Sequence, residues 1–135
     1  MTAIQYLDEP GDGYRPGACN IGPAEIARRR RSGYVGVAAT LALAAGLVIV
    51  DAAPVLRLAV GAPLFVGLLG FAQARLRFCV AFATMGVRNL GPLGAETKVA
   101  DRDAHRADLR RAAVITAACG VTAAAVAVGF ALLPL

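Results

Sequence analysis

Three long stretches without a charged residue dominate this chain. Ser32 to Val50 runs 19 residues, Leu58 to Ala74 runs 17, and Ala112 to Leu135 runs 24. A helix rises about 1.5 Å per residue, so blocks of this length approach or match the ~30 Å hydrocarbon layer of a bilayer. Only Asp51 to Arg57, with Pro54 inside, separates the first two blocks. So short a turn joins neighbouring helices only as an antiparallel hairpin. The expected fold is therefore all-α: an integral membrane protein with an antiparallel transmembrane hairpin and a third, C-terminal transmembrane helix. Of the 135 residues, 58% are hydrophobic and 17% are charged, beyond the usual shares of soluble domains in both directions. The competing reading makes the first two blocks core helices of a soluble domain. So small a fold has little surface behind which to hide them.

The chain divides into four parts. Residues 1–22 form a polar tail, rich in turns at Pro10, Gly11, Gly13, Pro16 and Gly17, expected to be irregular. Residues 23–90 hold an interfacial helix and the hairpin. Pro23 suits a first helical turn, and Glu25 favours the positive dipole end there. Residues 91–111 form a charged linker or helix, in which Arg102, Arg106 and Arg110 share one stripe. Residues 112–135 form the third spanning helix. Phe78 to Val87 is apolar but too short to span, so it either continues the second helix along the interface or forms a short re-entrant element. Ala42 with Gly46, Gly70 with Ala74, and Ala125 with Gly129 sit at small-xxx-small spacing, which marks expected close helix contacts.

The basic residues orient this plan. Of 14 Lys and Arg, Arg57 alone lies in the hairpin turn; the others fall between Arg15 and Arg31 or between Arg75 and Arg111. By the positive-inside rule both groups are cytoplasmic, so the N-terminus is inside and the C-terminus outside. Met1 to Cys19 has no apolar core of the kind a cleaved secretory signal needs, so the first block is expected to serve as an uncleaved anchor. The expected location is the cytoplasmic membrane, multi-pass. Arg28, Arg29, Arg30, Arg31, Arg75 and Arg77 are expected at anionic lipid headgroups. This placement explains the net charge of +5 without nucleic acid.

Chemistry is sparse. There is no Ser/His/Asp set, metal-ligand cluster or phosphate-binding loop, so neither an enzyme nor a cofactor is expected. His105 is the one histidine and reads as a solvated side chain among charges. No ionisable group interrupts the spanning blocks, which disfavours a transport path. Three cysteines leave one unpaired under any scheme, so a disulfide framework is not expected. Cys19 and Cys79 both fall at the cytoplasmic rim, beside arginines that favour a thiolate. They form a candidate thiol site for sulfane sulfur, a soft metal or redox signals. Cys119 lies mid-helix and is expected to pack. Glu25 can pair with Arg28 or Arg29 along one helix face, and Asn20 can bond backbone groups at the helix entrance. Gly33 and Gly86 can admit another backbone.

Two short motifs bracket the hairpin. Asn20-Ile21-Gly22 precedes it, followed by Glu25, Arg29 and Gly33; Phe78-Cys79 follows it, with Phe82 and Gly86 beyond. Their order and spacing resemble the YgaP-like, rhodanese-associated inner-membrane domain of two helices, a family of unknown function found in bacteria. The resemblance covers about Cys19 to Asn89, and Val80 stands where that family usually has proline. It implies a membrane hairpin closed at its cytoplasmic rim, and its rhodanese link points toward persulfide handling. The expected role is a non-enzymatic accessory or scaffold subunit packing against a membrane-protein partner or a second copy. The thiol site is the alternative.

Overall fold

The structure is a computed structural model and describes residues 13–135. It is mostly helical. Helix α1 spans Pro23–Ile49, and a short α2, Pro54–Arg57, leads through a 3-10 turn at Leu58–Val60 into α3, Gly61–Leu76. A six-residue α4, Val80–Met85, and two short strands, β1 at Val87–Arg88 and β2 at Thr97–Lys98, precede α5, Arg102–Ala131. Three helical stretches are long and apolar enough to cross a membrane: Pro23–Ile49, Pro54–Leu76 and Arg102–Ala131.

Helix α1 begins where the proline signal places it, with Gly22 extended ahead of it and Glu25 in the first turn. It ends at Val50, and Asp51 takes the left-handed conformation (φ 51°) that turns the chain back. Helix α3 is stopped by Arg77, also left-handed at φ 56°, whose N–H donates to the Gln73 carbonyl. That stop settles the Phe78 to Val87 segment. It does not continue the second helix: Val80–Met85 form a separate short helix packed on α5, and Val87 opens β1. The charged linker is likewise not a separate piece: from Arg102 onward it is continuous with the third long helix. The strands β1 and β2 form a small antiparallel ladder, Val87 opposite Lys98 and Arg88 opposite Thr97. The expected helical architecture accounts for most of the chain, and this ladder is an addition to it, because two-residue strands leave no periodic trace in a sequence.

Helix α3 stands between α1 and α5 and packs along both. Against α1 the contact is backbone on backbone. A Cβ placed on Gly36 would lie 2.4 Å from the Gly67 nitrogen, and one on Gly70 would lie 2.5 Å from the Gly33 nitrogen. Two glycine pairs, each spaced by three, thus face one another across the crossing. Against α3 and α4, α5 turns a mostly small-residue stripe: Ala112, Cys119, Ala123 and Ala127 are buried, with the larger Ile115 among them. Phe78, fully buried, and Ala83 complete that core. Of the expected small-residue pairs, Gly70 and Ala74 are buried, but Gly46 and Gly129 face open space. Spacing alone does not tell which side of a helix the partner occupies.

At the end opposite the arginine clusters, Arg57 is buried despite its charge. Its Nε donates to the Ala52 carbonyl (3.0 Å), Nη1 to Leu133 O (3.0 Å) and Nη2 to Leu135 O (3.3 Å). The side chain ties the hairpin turn to the end of α5, where helix carbonyls lack partners of their own.

The glycine crossing yields a prediction. Gly36→Ala and Gly70→Ala should each destabilise the protein by about 2 kcal/mol through overpacking. Gly46→Ala, in open space, should be neutral or stabilising. Thermal unfolding in mild detergent reads all three.

Candidate functional site

The arginine-rich end is closed by a cap made from residues 13–22, α4, the β1–β2 ladder and the start of α5. Asn20 is its hinge. Its backbone N–H donates to Arg77 O (3.1 Å), and its carbonyl accepts from Asn89 N (2.9 Å). Its side chain then copies a peptide group. Oδ1 accepts from Cys79 N (2.6 Å) and Nδ2 donates to Cys79 O (3.1 Å). An amide side chain presents donor and acceptor side by side, so it can pair with a backbone N–H and C=O together. The expected bonding of Asn20 to backbone groups is present, and its partner is distant in sequence: it staples the chain before α1 to the chain after α3.

Asn89 works from the other side. Its backbone holds Asn20 and Gly22 in a bridge, with Gly22 N donating to Asn89 O (2.9 Å). Its Nδ2 donates to Glu25 Oε2 (3.2 Å) and to Pro92 O (2.9 Å), and its Oδ1 accepts from Gly91 N (3.0 Å). In the sequence Asn89 looks only like a chain breaker. Gly22 fits here because a Cβ would meet the Leu90 carbonyl at 2.4 Å.

Glu25, fully buried, sits beneath these amides. Its Oε1 lies 3.1 Å from Arg29 Nη1 and 4.0 Å from Arg28 Nη1. The helical pairing expected from the sequence is present, with Arg29 the closer partner. Arg29 is a correction in one respect. Its side chain is only 13% exposed and turns inward rather than toward headgroups, because a buried carboxylate needs a cation. Its other nitrogen, Nη2, donates to Cys79 Sγ at 2.9 Å, and its guanidinium lies 5.5 Å from the Phe82 ring centre. The Phe82 N–H also donates to that sulfur (3.5 Å), which makes Cys79 the N-cap of α4.

The two candidate thiols have different surroundings. Cys79 is 1% exposed and accepts from a cation and a helix N–H. Cys19, also buried, donates its S–H to Ile21 O (3.7 Å). Both are free thiols, as is Cys119, which packs in the α3–α5 core as expected. Among the described residues no group of three or more His, Cys, Asp or Glu could hold a metal ion.

The remaining motif positions are structural in form. Gly33 lies at the helix crossing under the Phe71 ring. Gly86 is left-handed (φ 72°) and ends α4, so its backbone angle is the requirement, not the expected approach of another chain. His105 is not merely solvated. Its Nε2 lies 3.0 Å from the Ala83 carbonyl and bonds α5 to α4. Two positions of the cap escaped the sequence reading. Asp108, fully buried, accepts from Tyr14 OH and from Gly17 N, both at 2.7 Å. Arg88 lies over the Tyr14 ring at 4.6 Å. The tail from residue 13 is therefore folded onto α5 rather than irregular; residues 1–12 lie outside the described residues.

No family model, curated protein or solved structure matches this chain.

Asn20→Ala orphans the buried Cys79 N–H, while Cys79 O keeps its bond from Ala83 N (3.1 Å), and should cost roughly 1–3 kcal/mol. Its second readout is the thiol. Cys79 should react slowly with a small maleimide in the folded protein and much faster in Asn20→Ala. Equal rates in the two proteins would show that the staple does not shield the sulfur.

Proposed function

We propose that this chain is a multi-pass protein of the cytoplasmic membrane, with the cap inside and the end of α5 outside. We further propose that it acts as a non-enzymatic accessory or scaffold subunit. Insertion is supported by where the apolar surface lies. In the most apolar window of each long helix only 11%, 22% and 22% of residues are buried within the chain. Leu41, Ile49, Val55 and Val121 are each more than half exposed, a surface that water does not favour and lipid does. Orientation is supported by the arginines, which crowd the cap end. The sole basic residue at the other end, Arg57, is buried against carbonyls. The resemblance to the YgaP-like domain fits the same placement.

One observation carries the scaffold reading. Asn20, Glu25, Cys79, Asn89 and Asp108, the side chains able to do chemistry at the cap, are all buried and bonded to one another or to nearby backbone and side chains. The outward surface is apolar helix and charged side chains, chiefly arginines, with Glu96, Lys98, Asp101 and Asp103 also exposed. Such a molecule offers neighbours a shape and a charge, and offers a substrate little.

The thiol reading rests on a separate observation, the 2.9 Å bond from Arg29 to Cys79 Sγ. A cation and a helix N–H both point at that sulfur. That reading centres on Cys79, because the Cys19 thiol donates elsewhere.

Two measurements test these readings. A reporter fused after Leu135 should report the extracytoplasmic side; a cytoplasmic signal overturns the three-span topology. Purified in mild detergent, the wild type should migrate as a complex of defined mass that Cys79→Ser leaves unchanged. Loss of the complex in Cys79→Ser, together with sulfane sulfur bound stoichiometrically to the wild type, would move the function to the thiol.

A further inference from the structure

The exposed arginines at the cap end are not equivalent. Arg29 is held by Glu25 and Cys79, and Arg28 leans toward the same carboxylate. Arg30, Arg31 and Arg75 are exposed and make no hydrogen bond or ion pair with any described residue. Their spacing sets them on neighbouring faces of α1 and α3. Tyr34 follows Arg30 by four residues and Arg31 by three, so all share a face of α1. Phe71 precedes Arg75 by four on α3. The Tyr34 and Phe71 rings meet edge to face, with centres 5.0 Å apart and planes at 87°. The ring pair therefore joins the two arginine-bearing faces into one surface.

The antiparallel register brings the charges level. Gly70 lies against Gly33. Along the axes, Arg31 and Arg30 then sit about 3 and 4.5 Å beyond that contact, and Arg75 about 7.5 Å beyond it. Helical side chains lean toward their own helix N-terminus. On α1 that direction carries Arg30 and Arg31 away from the apolar block. On the reversed α3 it carries Arg75 back toward them. The offset closes from both sides.

We propose that Arg30, Arg31 and Arg75, with the Tyr34 hydroxyl below them, form a binding site for the phosphate of an anionic phospholipid. The inference rests on the membrane placement proposed above and deepens it. Arginine pairs with phosphate through two parallel N–H donors and suits this contact better than lysine. Tyr34, 64% exposed, stands at the depth where an aromatic ring with a polar tip meets the headgroup layer. Its hydroxyl bonds no described residue and is free to donate to a phosphate oxygen. One and two turns further along the same face lie Ala38 and Leu41, both exposed, a small-then-large apolar track for an acyl chain. The occupant is a lipid rather than free phosphate, because charge and apolar track are continuous on one face.

The test uses the full-length protein reconstituted in vesicles of phosphatidylcholine with a minor share of phosphatidylglycerol. Retained lipid is then counted by native mass spectrometry after gentle detergent extraction. The wild type should keep phosphatidylglycerol well above its share in the vesicle. Arg30→Gln/Arg31→Gln/Arg75→Gln should lose about tenfold in retention, the loss of roughly one good charge-assisted contact. Arg102→Gln/Arg106→Gln/Arg110→Gln removes the same charge from exposed positions on α5 and should keep it. Tyr34→Phe should give a smaller loss. Should the triple variant fail to fold by circular dichroism, Arg75→Gln alone carries the comparison. Equal loss in both triple variants, or no enrichment in the wild type, overturns the site. Displacement of the lipid by millimolar inorganic phosphate would assign it to a free anion and overturn the lipid commitment. Carbonate extraction of the wild type from pure phosphatidylcholine vesicles reports insertion independently. A protein washed off those vesicles fails the membrane reading itself.

Discussion

Gly33 and Gly36 meet Gly67 and Gly70 with no side chain between them, and the rest of the molecule is arranged by that contact. Two helices that touch backbone to backbone can hold few relative registers, because any slip drives a side chain into a peptide plane. In the membrane placement proposed above there is no hydrophobic drive between helices, and close van der Waals contact of this kind is a principal source of association. Once the crossing is set, α1 residues one turn toward the cap lie beside the last turn of α3. Glu25, Arg29 and the chain at Asn20 are thereby brought to Cys79, and Arg30 and Arg31 to the level of Arg75. Gly46, nearly three turns beyond the crossing, faces nothing, although its spacing to Ala42 is just as suggestive.

The cap shows how buried polar groups are tolerated. A carboxylate removed from water is costly unless paired and bonded, and breaking such a pair costs more than forming it gains. Glu25 is ion-paired with Arg29 through Oε1, which makes no hydrogen bond to a described residue, and hydrogen-bonded by Asn89 through Oε2. Asn20 and Asn89 extend the same logic to backbone. Each amide satisfies peptide groups that a loop would otherwise leave unpaired in the interior. The network acts as a unit, since each group orients the next. It also directs its reactive members inward, which is why the same side chains that suggest a site in sequence behave as a brace in space.

At the opposite end a single charge does comparable work. Arg57 binds carbonyls from the hairpin turn and from the last residues of the chain, and so closes the α2 to α5 gap without a salt-bridge partner nearer than Asp51 at 3.9 Å. The molecule is braced at both ends by polar groups and held between them by small apolar ones.

Much of this plan is legible without coordinates. The uncharged blocks set helix number and order, Pro23 marks the start of α1, and the charge distribution separates the two ends. Each is a local or compositional property, written in contiguous residues. The pairing of Glu25 with Arg29 is also local, because i,i+4 neighbours on a helix meet whatever surrounds them. Tertiary structure decided the rest. Asn20 and Cys79, Glu25 and Asn89, and Tyr14 and Asp108 are between 59 and 94 residues apart in sequence, and nothing in their types announces their partners. Which glycines face a helix and which face open space depends on rotation about the helix axis, which spacing does not encode. Arg29 and Arg30 are adjacent, yet a rotation of one residue sends the first to a buried carboxylate and leaves the second for the outer face.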